Sequence, residues 1–98
     1  GVGAVSSVGN EVETIWKNVV AGRPNVKPIT SFDASHLNTR IIAPIEDFDP
    51  EKIVGKRVVR RYGRYVSHAM AVAKQAMDDS GLDPTAVDPT RAGVIIGS

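Results

Sequence analysis

Glycines at positions 1, 3 and 9 punctuate Gly1-Val-Gly3-Ala-Val-Ser6-Ser7-Val-Gly9, which runs directly into a helix signature at Asn10. Glycine tolerates the backbone angles of a sharp strand-to-helix reversal, so such a turn normally follows a β-strand. No strand-like residues precede it here, and the first residue is not Met. At the other end, residues 92–98 (Ala-Gly-Val-Ile-Ile-Gly-Ser) read as a buried strand. Together these features lead us to expect a piece of a larger α/β protein, truncated at both ends, with most of its chemistry in other residues.

Composition fits one modest soluble domain: 42% of residues are hydrophobic and 23% charged. One Trp, two Tyr and two Phe leave a core to be built mainly from Val, Ile and Ala. The absence of Cys excludes disulfides, a thiolate nucleophile and a Cys-based metal site within these residues. No apolar run approaches the roughly 18 residues of a membrane-spanning helix.

Helix signals organise the chain. Asn10 is expected to cap a first helix, with Glu13 in capping-box position and Gly22 ending it in a left-handed conformation. Val12, Ile15, Trp16, Val19 and Val20 form its apolar stripe. Residues 23–35 read as irregular, and 39–43 as a short strand that Pro44 confines to an edge. Asp49-Pro50 starts a short helix ending near Gly55. The spacing predicts a long helix over about 59–80, stopped by Gly81. Tyr62, Tyr65, Val66, Ala69, Met70, Ala73, Ala76 and Met77 lie on its expected buried face. Asp83-Pro84 begins one further turn.

Few of these residues carry chemistry. Gly1-x-Gly3-x-x-Ser6 superficially resembles a phosphate-cradling Gly-x-Gly-x-x-Gly turn. It lacks the third glycine and an acidic residue ending a second strand about 20 positions on, so a tight connection is the expected reading. His36 sits in a polar loop, and His68 has no carboxylate three or four positions away. Ser6 and Ser7 have no local base. Asp78 and Asp79 read as solvated, with one of them paired elsewhere. No catalytic set, metal site or cofactor site forms within these residues.

Charge is the informative feature. The net charge is only +1, yet Lys52, Lys56, Arg57, Arg60, Arg61 and Arg64 supply half of the twelve basic residues with no acid among them. Arg57, Arg60, Arg61 and Arg64 are spaced to share a helical face. Guanidinium groups suit phosphate and carboxylate partners because they offer paired donors in one plane. Two readings stand: a solvated face, or a surface for an acidic protein or phosphorylated carrier group. Nucleic acid fits less well, because Tyr62 and Tyr65, the only interleaved aromatics, are claimed by the helix's apolar stripe.

Taken in order, Gly-x-Gly-x-x-Ser-x-x-Gly-Asn, the helix with Trp16, Ala21-Gly22, Ser31-Phe-Asp33, Phe48, Gln75-Ala-Met-x-Asp-Ser-Gly81 and Arg91-x-Gly-x-x-Ile-Gly-Ser98 resemble the N-terminal part of the β-ketoacyl-acyl-carrier-protein synthases. The resemblance is strongest to the type II elongating condensing enzymes. It implies a thiolase-like layered α/β fold, with a mixed sheet and flanking helices, in a homodimer. It also implies fatty acid elongation by decarboxylative Claisen condensation of an acyl thioester with malonyl-acyl carrier protein. The family's catalytic cysteine and two histidines would lie beyond Ser98, so this segment alone is expected to be inactive. No cofactor, nucleic acid or membrane partner is implied, and the location would be cytoplasmic, or an organelle stroma or matrix in a eukaryote. In related enzymes a basic patch before the long helix docks acyl carrier protein, and its positions match Arg57, Arg60 and Arg61. Gly63 departs from the pattern, standing where the family often has an acidic residue. A non-catalytic partner subunit of a polyketide condensing pair, resembling a chain-length factor, is the alternative. A free-standing nucleotide- or nucleic-acid-binding module is a third class.

Overall fold

A computed structural model describes residues 1–97, which form two compact units. One comprises Ala4–Phe48; the other comprises Gly1–Gly3 and the chain from Asp49 onward.

In the first unit a tight turn closes between Ser6 and Gly9. The Ser6 amide donates to the Gly9 carbonyl at 2.8 Å and the Gly9 amide returns a bond at 3.3 Å. Helix α1, Val12–Val20, follows. Its N-cap is Glu11, one residue later than expected, and no side chain caps it. The Asn10 side chain is oriented by a bond from its Nδ2 to the Glu46 carbonyl at 2.9 Å. The helix ends as the sequence implies, with Gly22 left-handed at φ +62°. Amide bonds from Gly22 to the Val19 carbonyl and from Arg23 to the Asn18 carbonyl satisfy the orphan acceptors of the last turn.

Strand β1, Lys27–Pro28, pairs antiparallel with β2, Ile41–Ile42, in the register Lys27 opposite Ile42 and Pro28 opposite Ile41. Strand β2 falls within the edge strand expected over 39–43, whereas β1 falls within residues 23–35, expected to be irregular because Pro24 and Pro28 break helices. Asn25 fastens this region to the turn: its Nδ2 donates to the Ser7 carbonyl at 2.8 Å and the Pro44 carbonyl at 3.2 Å.

The second unit is built on helices α2 (Glu51–Val54), α3 (Lys56–Arg61) and α4 (Arg64–Ser80), which pack on one another. Asp49 Oδ1 accepts the Glu51 amide at 3.0 Å at the start of α2. Gly55, at φ +84° and ψ 153°, turns the chain from α2 into α3 through a conformation that side chains disfavour. Residues 1–3 lie against α4, where a side-chain carbon at Gly3 would come within 2.8 Å of the Ala76 amide nitrogen. One carbon at Gly1 would come within 2.6 Å of Ser80. The opening glycines therefore serve a close approach of two backbones. After α4, Asp83 caps a 3₁₀ turn, Pro84–Ala86, by accepting the Thr85 amide at 2.8 Å.

Three expectations are corrected here. The long helix does not run from 59: it is interrupted at Tyr62 (φ −118°, ψ 152°) and Gly63 (φ −62°, ψ 163°), which are both extended. Gly63 costs a continuous helix about 1 kcal/mol relative to Ala, and the break falls there. The expected apolar faces are largely uncovered among the described residues: Trp16 is 67% exposed and Tyr65 63%. On α4 the buried positions are instead Ser67 and Ala71, one turn apart and small enough for close packing. Finally, residues 92–97 form no strand, and Ile95 is 99% exposed, because no neighbouring strand among the described residues takes up their amide and carbonyl groups. Ser98, the last residue of that expected strand, lies outside the described residues.

Candidate functional site: a basic helix face

Six residues long, α3 divides its surface by period. Val58 and Val59 are half-buried, whereas Arg57, Arg60 and Arg61 are exposed. The spacing of the three arginines, three and four apart, puts them on one side of the helix. Gly55 before the helix and Tyr62-Gly63 after it fix where that face begins and ends.

The surrounding charges leave these arginines uncompensated. Lys56 pairs with Glu51 at 3.7 Å. Among the described residues no carboxylate lies within 4 Å of Arg57, Arg60, Arg61 or Arg64. The break at Tyr62-Gly63 corrects the expectation that all four share one helical face: Arg64 opens α4 instead. A cation in the first turn of a helix opposes the positive end of the helix dipole, and no acidic residue in that turn offsets it. The cluster is thus a concentration of positive charge facing solvent.

One side chain in it escaped the sequence reading. The guanidinium carbon of Arg61 stands 5.6 Å from the centroid of the Tyr62 ring, a cation–π arrangement. Helical periodicity puts Tyr62 on a buried stripe, but the extended backbone at 62 takes it off that stripe, and the residue is 45% exposed. The adjacent Arg-Tyr pair was the available signal.

The remaining candidates resolve into structural roles. The Val2 amide, between Gly1 and Gly3, donates to Asp79 Oδ2 at 2.9 Å, so a carboxylate already takes that donor. Asp78 pairs with Lys74 at 2.7 Å. His68 Nδ1 lies 2.5 Å from the Arg64 carbonyl, one turn back on α4, and His36 is exposed. Ser6 Oγ accepts the Val8 amide at 3.2 Å within its own turn. No three His, Cys, Asp or Glu side chains converge on a metal position among the described residues.

Elsewhere, Lys27 Nζ and Glu46 Oε1 meet at 2.5 Å, and Asn25 Nδ2 reaches Glu46 Oε2 at 3.3 Å. These donors, Lys27 first, hold the Glu46 carboxyl below its ordinary value. Among the described residues no helix is long and apolar enough to cross a membrane.

Comparison with known proteins gives this geometry its family context. Residues 1–98 match the model of the family described as "Beta-ketoacyl synthase, N-terminal domain". The chain is 44% identical over 98 residues to 3-oxoacyl-(acyl-carrier-protein) synthase 2 of Coxiella burnetii, covering all of this chain and 24% of that protein. It is 41% identical over 99 residues to the granaticin polyketide putative beta-ketoacyl synthase 1 of Streptomyces violaceoruber, covering 23% of that protein. Among solved structures, the ishigamide ketosynthase/chain length factor superposes with a TM-score of 0.74 at 33% identity, over 87% of this chain and 21% of that one. The chain therefore spans about a quarter of the length of the curated relatives it matches. Its helices and antiparallel strand pair correspond to a portion of the layered, thiolase-like α/β ketosynthase fold. The chain belongs to the β-ketoacyl synthase family, within the N-terminal domain.

Proposed function

We propose that this chain is the N-terminal portion of a 3-oxoacyl-acyl-carrier-protein synthase, and that Arg57, Arg60 and Arg61 dock acyl carrier protein. The synthase would transfer an acyl group from its carrier onto an active-site thiol. Decarboxylation of malonyl-carrier protein would then yield the carbanion that attacks that thioester and releases the thiol. These residues supply neither thiol nor paired histidines. Their contribution is scaffold and encounter surface, within a homodimeric enzyme.

The observation that carries this reading is the uncompensated guanidinium face of α3, in a family whose relatives are named for a carrier-linked substrate. Opposite charge on a partner steers encounter and fixes orientation, while each exposed pair contributes only about 0–1 kcal/mol. Several such pairs acting together give a site that holds and releases its carrier rapidly.

Reversing Arg60 and Arg61 to Glu in the full-length enzyme tests it. The apparent KM for acyl-carrier substrates should rise far more than that for a small thioester mimic. Equal losses on both substrates would refute a docking role.

A second reading has its own support. The superposition on a chain of a ketosynthase/chain length factor structure supports a non-catalytic subunit of a condensing pair. Mass spectrometry after thiol alkylation of the full-length protein separates the two, since a condensing enzyme carries a reactive cysteine and a chain-length factor does not.

A further inference from the structure

Within the cluster the four arginines are not equivalent. Arg57, Arg60 and Arg64 project into solvent without a carboxylate or aromatic partner among the described residues. Arg61 alone rests over a ring, 5.6 Å from the centroid of Tyr62. The ring is available because the helix stops there: Tyr62 closes α3 with its amide bonded to the Val58 carbonyl at 3.0 Å, then departs into extended backbone.

We infer that Tyr62 is a positioning residue for the docking surface, holding the Arg61 guanidinium against its ring so that the donor edge is set in place before a partner carboxylate arrives. This inference rests on the docking role proposed above. The physical case is geometric. A guanidinium drawn over a ring face by cation–π attraction is restrained there, while its N–H groups that do not face the ring stay free to donate to a carboxylate. Restricting the long Arg side chain before binding removes part of the ordering cost that association otherwise bears. An exposed ring contact cannot hold the side chain rigidly, so the expected effect is small but measurable.

The test is a double-mutant cycle on the affinity of the full-length protein for acyl carrier protein, at fixed low ionic strength. Tyr62→Leu should weaken binding about two- to fivefold, the size expected of an exposed cation–π pair. Tyr62→Phe should bind like the parent. In an Arg61→Ala background Tyr62→Leu should have no further effect, because the group it positions is gone. Pentafluorophenylalanine at position 62 keeps the ring's shape and reverses its quadrupole, so it should reproduce the Leu result even if the Leu variant folds poorly. Equal weakening by Tyr62→Leu with and without Arg61, or parental binding by the fluorinated variant, would overturn the inference while leaving docking intact. Parental binding by Arg57→Glu and Arg60→Glu would instead remove the docking role, and this inference with it.

Discussion

The Gly3 backbone lies so close to Ala76 that any side chain at position 3 would strike the main chain of α4, at 2.8 Å from its amide nitrogen. What reads in the sequence as a tight strand-to-helix connection is in the structure a packing contact between two backbones, secured by the bond from the Val2 amide to Asp79. A helix main chain cannot shift as a side chain can. Gly3→Ala should therefore destabilise the full-length protein by about 1–3 kcal/mol, the usual cost of overpacking. Thermal or urea unfolding measures it. Gly93→Ala, where a methyl would meet nothing within 4 Å, should change stability little and serves as the control.

The Lys27–Glu46 pair predicts a pH dependence. In the folded chain the hydrogen bonds from Lys27 and Asn25 lower the Glu46 carboxyl below its ordinary value of 4.5. A carboxyl depressed by folding contributes stability above its unfolded value, and that contribution is lost as pH falls through the folded one. The loss should therefore begin near pH 4.5 and be complete below the depressed value. Unfolding of parent and Glu46→Gln should differ at neutral pH, with the parent more stable, and converge in acid. A difference that persisted unchanged to low pH would show that the ionised carboxylate is not the source.

Residues Val94, Ile95 and Ile96 stand open to solvent as an uninterrupted apolar run. An uncovered segment of this kind is a template for pairing with other chains. The isolated 98-residue segment should aggregate, and Ile95→Lys should raise its soluble fraction severalfold, because a charge in the run opposes stacking. Light scattering against concentration reads this directly. Unchanged aggregation of the Lys variant would place the association elsewhere, with the exposed stripe around Trp16 as the next site to test.

Local chemistry was legible in the sequence, and global layering was not. The helix stops at Gly22, Gly55 and Gly81, the start after Asp49 and the Asp83 turn depend on neighbours within a few residues, and each is present. The Asn10 cap failed because α1 starts one residue later, after Glu11, and the Asn10 side chain is oriented by its Nδ2 bond to a carbonyl 36 residues away, that of Glu46. The apolar stripes failed as predictors of burial for another reason. Periodicity reports every surface that a helix is built to cover, whereas exposure in this chain depends only on the layers present. Trp16 and Tyr65 lie on real stripes with nothing over them among the described residues, while Ser67 and Ala71, unremarkable in hydropathy, are buried. At the basic site, spacing was enough to put Arg57, Arg60 and Arg61 on one helix face, while their choice as a docking set came from the family resemblance. The placement of Arg64 on a separate helix depended on a backbone break that spacing does not encode, and so did the Arg61–Tyr62 cation–π contact.

The docking role of α3 is tested most directly by titrating acyl carrier protein into the full-length protein and its Arg57→Glu/Arg60→Glu/Arg61→Glu variant across a range of salt concentrations. Parent affinity should fall steeply as salt screens the exposed charges, and the variant should bind far more weakly with little remaining salt dependence. Equal affinities and equal salt slopes for the two proteins would contradict the account.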